Sequence, residues 1–454
     1  MNRTKTLAAL LVVLAASGIL ALVVNAAQAP QTLQVNGTST NVNVSPADLI
    51  WSKVYGGAED DRLFSMVTAG DGYLAVGSTK SIVPNTIVGW ALRLDSDGNT
   101  VWNKTFLEGS GTELRYAINL TDGFLLVGNE FLPSGGINGY VAKIDDQGNL
   151  FWQTIIGNNQ TDEFYSAIAV SDGFVLLGLS SNNGGNQPQA WVVKIDLEGN
   201  VIWDKTYSFA QDTVAKSGTL ASDGNYMVAG YTDPTSAGNY RFLLMKITPD
   251  GNLVWNQTYG GDGSQEAHSM TSASDGYIIV GDTQTSNANI HALVLKVDFN
   301  GTQLWAKTVG GKNADSPSCV TLSPGGGYLV SGFTFSWGAG NRDFWLFKIS
   351  DSGQVSWSCT QGDKGYQESY AILPAGQNQY VMAGWTDPPD QPALIGRAQY
   401  DFYIVKINAP QNDNSFSISQ LLGFGLLFSS AVVAALMLAL KVQRKHRRSK
   451  TIGS

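Results

Sequence analysis

The sequence is poor in cysteine, histidine and charge. Its 454 residues include two cysteines and three histidines, and charged residues make up 14%. Two cysteines are too few for a disulfide framework, and the body contains only His268 and His291, too few for a metal-supported Ser-His-Asp network. No H-E-x-x-H, G-x-S-x-G or P-loop spacing occurs. The composition disfavours an enzyme of these classes and predicts no cofactor.

Basic residues are scarce between the two ends of the chain. Eight of the 28 lysines and arginines lie at residues 3–5 or 441–450, so the middle carries 20 basic residues against all 37 acidic ones. Nucleic acids are held mainly by basic side chains, so a nucleic-acid partner is disfavoured. With 43% apolar residues and 51 glycines, the body reads as turn-rich and globular.

Long hydrophobic runs occur near the two ends. Residues 1–29 have the layout of a secretory signal peptide, with Arg3 and Lys5 before an apolar stretch; its length also fits an uncleaved anchor. Residues 421–440 lack charge and are long enough to cross a lipid bilayer as a helix, a buried core helix being the alternative. The basic tail 441–454 stays in the cytoplasm by the positive-inside rule. The sequence therefore predicts a single-pass protein of the cell membrane with its body outside.

Sequons for N-glycosylation agree with an extracellular body, although an Asn- and Thr-rich chain forms several by chance. They begin at Asn36, Asn43, Asn103, Asn119, Asn159, Asn256 and Asn300.

A repeat of about 50 residues is the strongest signal in the chain. It is marked by Trp51, Trp102, Trp152, Trp203, Trp255, Trp305 and Trp357, spaced by 51, 50, 51, 52, 50 and 52 residues. Each interval holds four short β-type runs separated by turn residues, which is typical of a propeller blade. The sequence therefore predicts an all-β, seven-bladed propeller of four-stranded antiparallel blades.

The register of the repeat predicts how the ring closes. The first tryptophan run, Leu49 to Tyr55, precedes any complete unit, whereas the last unit ends at Asn408 without a tryptophan strand. The N-terminal strand is therefore expected to complete blade seven, which leaves no unpaired interior edge. The predicted domains are the propeller at 49–408, with linkers at 30–48 and 409–420.

Three sets of recurring residues have structural interpretations. A glycine in the second strand of each unit indicates a close approach of backbone or ring: Gly77, Gly128, Gly178, Gly230, Gly281, Gly332 and Gly384. Small residues of the innermost strand suit the crowded axis: Ser65, Ala117, Ser166, Ser217, Ser269, Ser318 and Ser369. Lys143 is expected opposite Trp152, and Lys194 opposite Trp203, with the cation or its stem against the indole ring; an anion-binding lysine ring is the sharper alternative.

The unit K-I-D-x-x-G-N-x-x-W-x-x-x-x-G resembles the tryptophan-docking repeat of PQQ-type β-propellers. The resemblance covers Leu49 to Asn408, with a shorter turn and with Lys or Arg where that family has a small residue. It implies a tryptophan wedged between neighbouring blades, and it implies fold rather than activity. The layout also resembles archaeal and bacterial membrane-anchored surface proteins.

A quinoprotein-like, PQQ-dependent dehydrogenase is the enzymatic alternative. Such an enzyme needs a cofactor cradle, commonly with calcium, and alcohol dehydrogenases of this type also have adjacent cysteines. Cys319 and Cys359 are predicted in the first and fourth strands of blade six, too far apart to bond. The turns Asp95 to Asn99, Asp145 to Asn149 and Asp196 to Asn200 resemble fragments of calcium loops, so calcium stays open, but they fit hairpin turns better.

One face of the predicted ring is expected to contact a partner. Acidic residues near the starts of the innermost strands would make a negative funnel: Asp60, Asp61, Glu113, Asp162, Glu163, Asp212, Glu266, Asp315 and Glu368. Trp337, Trp385 and Arg397 lie in variable loops on the same face, where binding residues are often found. In the alternative, these acids keep the protein soluble and hydrogen-bond local backbone amides.

These observations predict a non-catalytic binding or adhesion module at the cell surface. Its partner is a surface protein or a glycan, and its contact with the lipid bilayer is made through residues 421–440. A purely structural component of the cell envelope is the other alternative.

Overall fold

The computed structural model describes residues 39–410, apart from residues 41, 107–110, 159, 182–186, 236, 262, 285–288 and 388–398. The predicted signal peptide, membrane segment and basic tail lie outside the described residues. Among the described residues, no helix has the length and apolar character needed to span a membrane.

The strands of the described residues form seven sheets. The N-terminal strands are β1 (Ser39–Thr40), β2 (Val44–Pro46) and β3 (Asp48–Tyr55). Blade one contains β4 (Asp61–Ala69), β5 (Gly72–Thr79), β6 (Val88–Leu94) and β7 (Thr100–Phe106). Blade two contains β8 (Thr112–Leu120), β9 (Gly123–Phe131), β10 (Ile137–Ile144) and β11 (Leu150–Ile156). Blade three contains β12 (Asp162–Val170), β13 (Gly173–Ser180), β14 (Gln189–Ile195) and β15 (Val201–Tyr207).

The remaining blades follow in chain order. Blade four contains β16 (Thr213–Leu220), β17 (Tyr226–Thr232), β18 (Arg241–Ile247) and β19 (Leu253–Tyr259). Blade five contains β20 (Ser264–Ala273), β21 (Gly276–Gln284), β22 (Ile290–Asp298) and β23 (Gln303–Val309). Blade six contains β24 (Asp315–Leu322), β25 (Tyr328–Thr334), β26 (Asp343–Ile349) and β27 (Val355–Gln361). Blade seven contains β28 (Gln367–Gly376), β29 (Gln379–Thr386), β30 (Asp401–Asn408) and β3.

The ring closes through the N-terminal strand, and this confirms the predicted seven-bladed propeller. β3 lies antiparallel to β30, with Trp51 opposite Lys406 and Tyr55 opposite Phe402. Trp90 of blade one packs in one apolar cluster with Phe402 of blade seven. Similar clusters fill each of the other six junctions between neighbouring blades. Because the second and third strands are buried on both faces, they read as continuous apolar runs.

The segment predicted as an N-terminal linker contains two short strands that pair with other blades. β1 runs parallel to β23, with Thr40 opposite Val309. β2 runs parallel to β27, with Ser45 opposite Cys359. β1 and β2 therefore add a short outer strand to blades five and six, and β3 then completes blade seven.

The repeating tryptophans dock onto the following blade, as the resemblance implied. The indole of Trp152 lies against Gly199 in the β14–β15 turn, and its Nε1 donates to the carbonyl oxygen of Leu197 at 3.0 Å. Three other indoles make the same bond one blade on: Trp102 to Asp146, Trp203 to Pro249 and Trp305 to Asp351.

The predicted register of lysine opposite tryptophan is confirmed, but the ammonium group pairs with an aspartate rather than lying over the indole. Lys143 lies opposite Trp152, but its ammonium group pairs with Asp122, at 2.8 Å, in the turn between β8 and β9. Since the indole is engaged by the next blade, the lysine joins two hairpins of its own blade instead. The same ion pair recurs as Lys194–Asp172, Lys246–Asp223 and Lys296–Asp275.

The third and fourth strands of the first three blades are joined by Asp-Asn turns. Asp95 Oδ1 accepts hydrogen bonds from the amides of Asp97 and Asn99 at 3.0 and 2.7 Å. Hydrogen bonds from Asn99 hold the pKa of Asp95 below its usual range. Asp145 and Asp196 make the same bonds. These carboxylates are used in hairpin turns, as the better of the two sequence interpretations proposed.

Candidate functional site

Every innermost strand contains a β-bulge. In β12 the pairing with β13 skips Tyr165, between Phe164 and Ser166, and the other six innermost strands skip the equivalent residue. A bulge bends the strand and re-aims one side chain. We call these seven residues the bulge ring: Phe64, Arg115, Tyr165, Lys216, His268, Ser318 and Tyr370.

The glycine that recurs in every second strand permits the bulge. A Cβ atom on Gly178 would clash with the carbonyl oxygen of Glu163, two residues before Tyr165. The other six glycines of this set face the corresponding carbonyl of their own innermost strand. The close backbone approach predicted from the sequence is therefore confirmed, and its consequence is a side chain turned toward the axis.

All seven side chains of the bulge ring line one cavity of about 520 Å³ at the centre of the propeller. A volume in this range accommodates a small ligand or the end of a chain. The innermost strands begin at the face that carries the fourth-to-first and second-to-third connections. This face is the upper face, and the cavity lies below it.

Neighbouring members of the bulge ring contact one another. The Arg115 guanidinium lies 4.5 Å from the centre of the Phe64 ring, and Lys216 Nζ lies 3.4 Å from the centre of the Tyr165 ring. The rings of Phe64 and Tyr370 meet edge to face at 5.5 Å. Cations placed over aromatic faces are stabilised by about 0.5–2 kcal/mol. The ring thus combines fixed cations with aromatic surface.

A second ring lies two residues earlier in each innermost strand, nearer the upper face. We call it the mouth ring: Arg62, Glu113, Glu163, Val214, Glu266, Ser316 and Glu368. Its acids contact the bulge ring below. Glu113 Oε1 lies 2.6 Å from Arg115 Nε, and the Tyr370 hydroxyl donates to Glu368 Oε1 at 2.7 Å.

Burial raises the pKa of Glu113 and of Glu266. The mouth also contains cations, since Arg62 pairs with Asp60 at 3.2 Å and Arg342 pairs with Glu368. The predicted negative funnel is therefore a surface of mixed charge.

His268 connects the bulge ring to the second strand of its blade. Its Nδ1 lies 2.8 Å from the carbonyl oxygen of Pro317. A carbonyl oxygen only accepts, so Nδ1 carries a proton. Its Nε2 faces Asp282 Oδ2 at 3.6 Å, and burial raises the pKa of Asp282.

Several acids predicted for the contact face are buried and have structural roles. Asp61, Asp162 and Asp315 each begin an innermost strand and are at most 1% exposed. Each carboxylate accepts a hydrogen bond from the amide four residues earlier, at 2.6–2.8 Å. Thr213, Gln265 and Gln367 do the same in their blades. Asp61, Asp162 and Asp315 are therefore not part of an exposed contact surface. Their hydrogen bonds to backbone amides agree with the alternative interpretation of these acids.

The other predicted acids stay near the upper face. Glu113, Glu163, Glu266 and Glu368 belong to the mouth ring. Asp212 is partly buried in the connection before β16 and accepts a hydrogen bond of 3.4 Å from the Tyr240 hydroxyl.

The predicted loop aromatics pack inside the structure. Trp385 belongs to β29 and is 7% exposed, with its ring 4.2 Å from that of Tyr400. Trp337 is partly buried, and its ring lies 5.8 Å from that of Trp345. Both rings therefore pack against other aromatic side chains instead of standing free in a loop. Arg397 lies outside the described residues.

Small residues below the bulges join the innermost strands of neighbouring blades. The amide of Met270 donates to Ser217 Oγ at 3.1 Å, and the amide of Val320 donates to Ser269 Oγ at 3.2 Å. In blade six this position is Cys319, because the predicted Ser318 is itself the bulge residue. Burial raises the pKa of the Cys319 thiol to about 11.

Both cysteines are free and lie in the predicted strands, Cys319 in β24 and Cys359 in β27. Among the residues that the structure describes, no three His, Cys, Asp or Glu side chains are grouped as a metal site would need.

The sequence argument missed the bulge ring. A signal was present, because Phe64, Tyr165, Lys216 and His268 each directly precede a serine of the recurring small-residue set. Strict alternation along a strand would place adjacent residues on opposite faces. Only a bulge lets both approach the axis, and single-sequence reasoning does not locate bulges.

No protein-family model matches the sequence, and no curated protein matches it. The fold is similar to the WD40 domain of Pan2 from Neurospora crassa, with 12% identity, 81% of this chain and 91% of that one covered, and a TM-score of 0.46. It is similar to Chaetomium thermophilum Sqt1 bound to the N-terminus of ribosomal protein L10, with 10% identity, 80% and 100% coverage, and a TM-score of 0.45. The fold is also similar to an acylaminoacyl peptidase of Pyrococcus horikoshii, with 12% identity, 82% of this chain and 54% of that one covered, and a TM-score of 0.45. The fold assignment rests on the strand pairing described above.

Proposed function

We propose that this chain is a membrane-anchored surface protein whose propeller binds a surface protein or a glycan at its upper face, without catalysis. The observation that carries the proposal is the convergence of seven bulge-ring side chains, five of them ionisable, on one cavity. Side chains of this kind on a rigid frame suit recognition.

The location is supported by the two ends of the sequence. Residues 1–29 have the layout of a leader, and residues 421–440 are followed by a basic tail. The last described residue is Pro410, ten residues before the uncharged stretch. Proteolysis of intact cells from outside should remove the propeller and leave the tail protected. Protection of the propeller would contradict the surface location.

The binding proposal is tested with the full chain in detergent. The protein is screened against glycans and surface proteins, with and without calcium, and each ligand found is titrated against two variants of blade three. Glu163→Gln changes the mouth ring, and Glu198→Gln makes the same change in an exposed turn at the opposite face.

A ligand that enters the cavity should bind Glu163→Gln about tenfold more weakly than the native protein, a change of about 1.4 kcal/mol. It should bind Glu198→Gln with native affinity. Equal affinity for both variants and the native protein would place the contact elsewhere.

A further inference from the structure

Lys216 differs from Arg62, Arg115 and Arg342 in having no carboxylate partner among the described residues. Arg62 pairs with Asp60, Arg115 with Glu113 and Arg342 with Glu368. Lys216 forms no ion pair within the described residues; its ammonium lies over the Tyr165 ring at 3.4 Å and 5.9 Å from the centre of the Tyr231 ring.

A second cation, Arg115, precedes the same tyrosine in the order of the bulge ring, as Lys216 follows it. Arg115, Tyr165 and Lys216 are consecutive members of the bulge ring, one from each of blades two, three and four. Burial, and then the positive charge of Arg115, lowers the pKa of Lys216 to about 8. The charged form of Lys216 is therefore disfavoured where it stands, and only Glu163 and Glu266 of the mouth ring oppose this effect. An anion placed near both cations would relieve their repulsion.

The space for such an anion is present. Arg115, Tyr165 and Lys216 all line the 520 Å³ cavity. The mouth ring, with four glutamates and one arginine, stands nearer the upper face, so a ligand entering the cavity meets a mostly acidic ring before the cations of the bulge ring. A ligand that enters from that face meets carboxylates at its outer part and cations at its inner end.

We propose that Arg115 and Lys216 form a subsite for an anionic group, a carboxylate or a phosphate, at the inner end of the ligand. This rests on the proposed function, and it adds that the ligand is dipolar, with its anionic end inward and a neutral or cationic part at the mouth ring. Tyr165 holds the ammonium of Lys216 while the subsite is empty.

The test measures thermal unfolding of the full chain in detergent at pH 7. Sodium phosphate and sodium malonate are the two probes, each compared with sodium chloride at equal ionic strength. One or both should raise the unfolding midpoint saturably, and the probe that does so identifies the anionic group. Lys216→Gln should abolish the rise, Lys216→Arg should retain it, and Lys364→Gln, an exposed loop change, should leave it intact.

The pH dependence gives a second readout. Probe affinity should fall as the pH rises through about 8, because Lys216 then loses its charge, and Lys216→Arg should remove this fall. An equal midpoint rise in Lys216→Gln, or no saturable rise with either probe, would overturn the subsite.

The two proposals fail separately. A screened ligand that depends on Glu163 but binds Lys216→Gln normally refutes the subsite and keeps the binding function. Phosphate or malonate binding that depends on Lys216, with no ligand sensitive to Glu163→Gln, keeps the subsite and refutes the function proposed for the upper face.

Discussion

Two buried carboxyl groups face each other where blade seven meets blade one. Asp401 begins β30 and Asp61 begins β4, and both side chains approach Gly56 so closely that a Cβ there would clash with them. Burial, with the nearby charge of Asp61, raises the pKa of Asp401 from 3.8 to about 6. At the equivalent junction between blades five and six, His291 lies 4.0 Å from Asp315. The junction between blades seven and one therefore has Asp401 at the position where the junction between blades five and six has His291.

Replacement of Asp401 by Asn should stabilise the protein at neutral pH. A carboxyl whose folded pKa is raised binds more protons in the folded state, so stability falls as the pH rises from about 4 to about 6 and the penalty persists above that range. Asp401→Asn should add about 3 kcal/mol to the free energy of unfolding at pH 7 and less than about 1 kcal/mol at pH 4. Asp71→Asn, in an exposed turn, is the control. Denaturant titrations at both pH values measure the effect, and a gain at pH 4 equal to that at pH 7 would contradict it.

At the scale of the strand, one glycine and one bulge form a unit. Because Gly178 has no Cβ, the carbonyl oxygen of Glu163 can come close to its backbone. The bulge that follows turns the side chain of Tyr165 toward the cavity. A side chain at this glycine therefore disturbs both the blade and the cavity.

Gly178→Ala should lower the free energy of unfolding by about 2–4 kcal/mol, because the backbone of β12 must move away. Gly325→Ala is the control, since its Cβ would meet only the flexible end of Lys348. Chemical denaturation compares the two variants. A loss in Gly178→Ala no larger than that in Gly325→Ala would show that the close approach has little energetic weight.

The blades and the closure of the ring could be predicted from the sequence, whereas the β-bulges could not. Tryptophan spacing, the recurring glycines and the unpaired first strand predicted the blades and their closure, since each reflects a contact repeated seven times. A bulge changes the register by one residue, and its trace in the sequence is weak, since in only four blades does the bulge residue directly precede a serine of the recurring small-residue set. The sequence therefore predicts Ala117, Ser318 and Ser369 at the small-residue position, whereas the structure has Tyr116, Cys319 and Ala371 there.

The predicted acids lie at the expected ends of the innermost strands, but several of them are buried there and hydrogen-bond the backbone. The charge pattern located the upper ends of the innermost strands. It could not separate Asp162, which caps a turn, from its neighbour Glu163 in the mouth ring. One residue along a strand reverses the face to which a side chain points, so charge alone does not decide its role.

The N-terminal segment contributes to the propeller in two different ways. β1 and β2 add edges to blades that already have four strands, whereas β3 supplies a strand that blade seven lacks. The two parts should therefore differ in their effect on stability.

Replacement of residues 39–46 by a Gly-Ser sequence of equal length should keep the fold and lower its stability by about 2 kcal/mol, the scale of a few backbone hydrogen bonds. The same replacement at residues 48–55 should open blade seven and expose the apolar edge of β30. Thermal unfolding and limited proteolysis distinguish the two variants. Equal protease resistance of the second variant and the native chain would contradict closure by β3.

Closure by the first strand also sets the timing of synthesis. β3 leaves the ribosome at the start of propeller synthesis, but its partner β30 ends at Asn408. At ordinary translation rates of about 5–20 residues per second, β3 waits roughly 20–70 s for that partner. During this interval Leu49, Ile50 and Val54 remain on an unpaired strand. Until β30 is made, the unpaired edge of β3 is open to pairing with other chains.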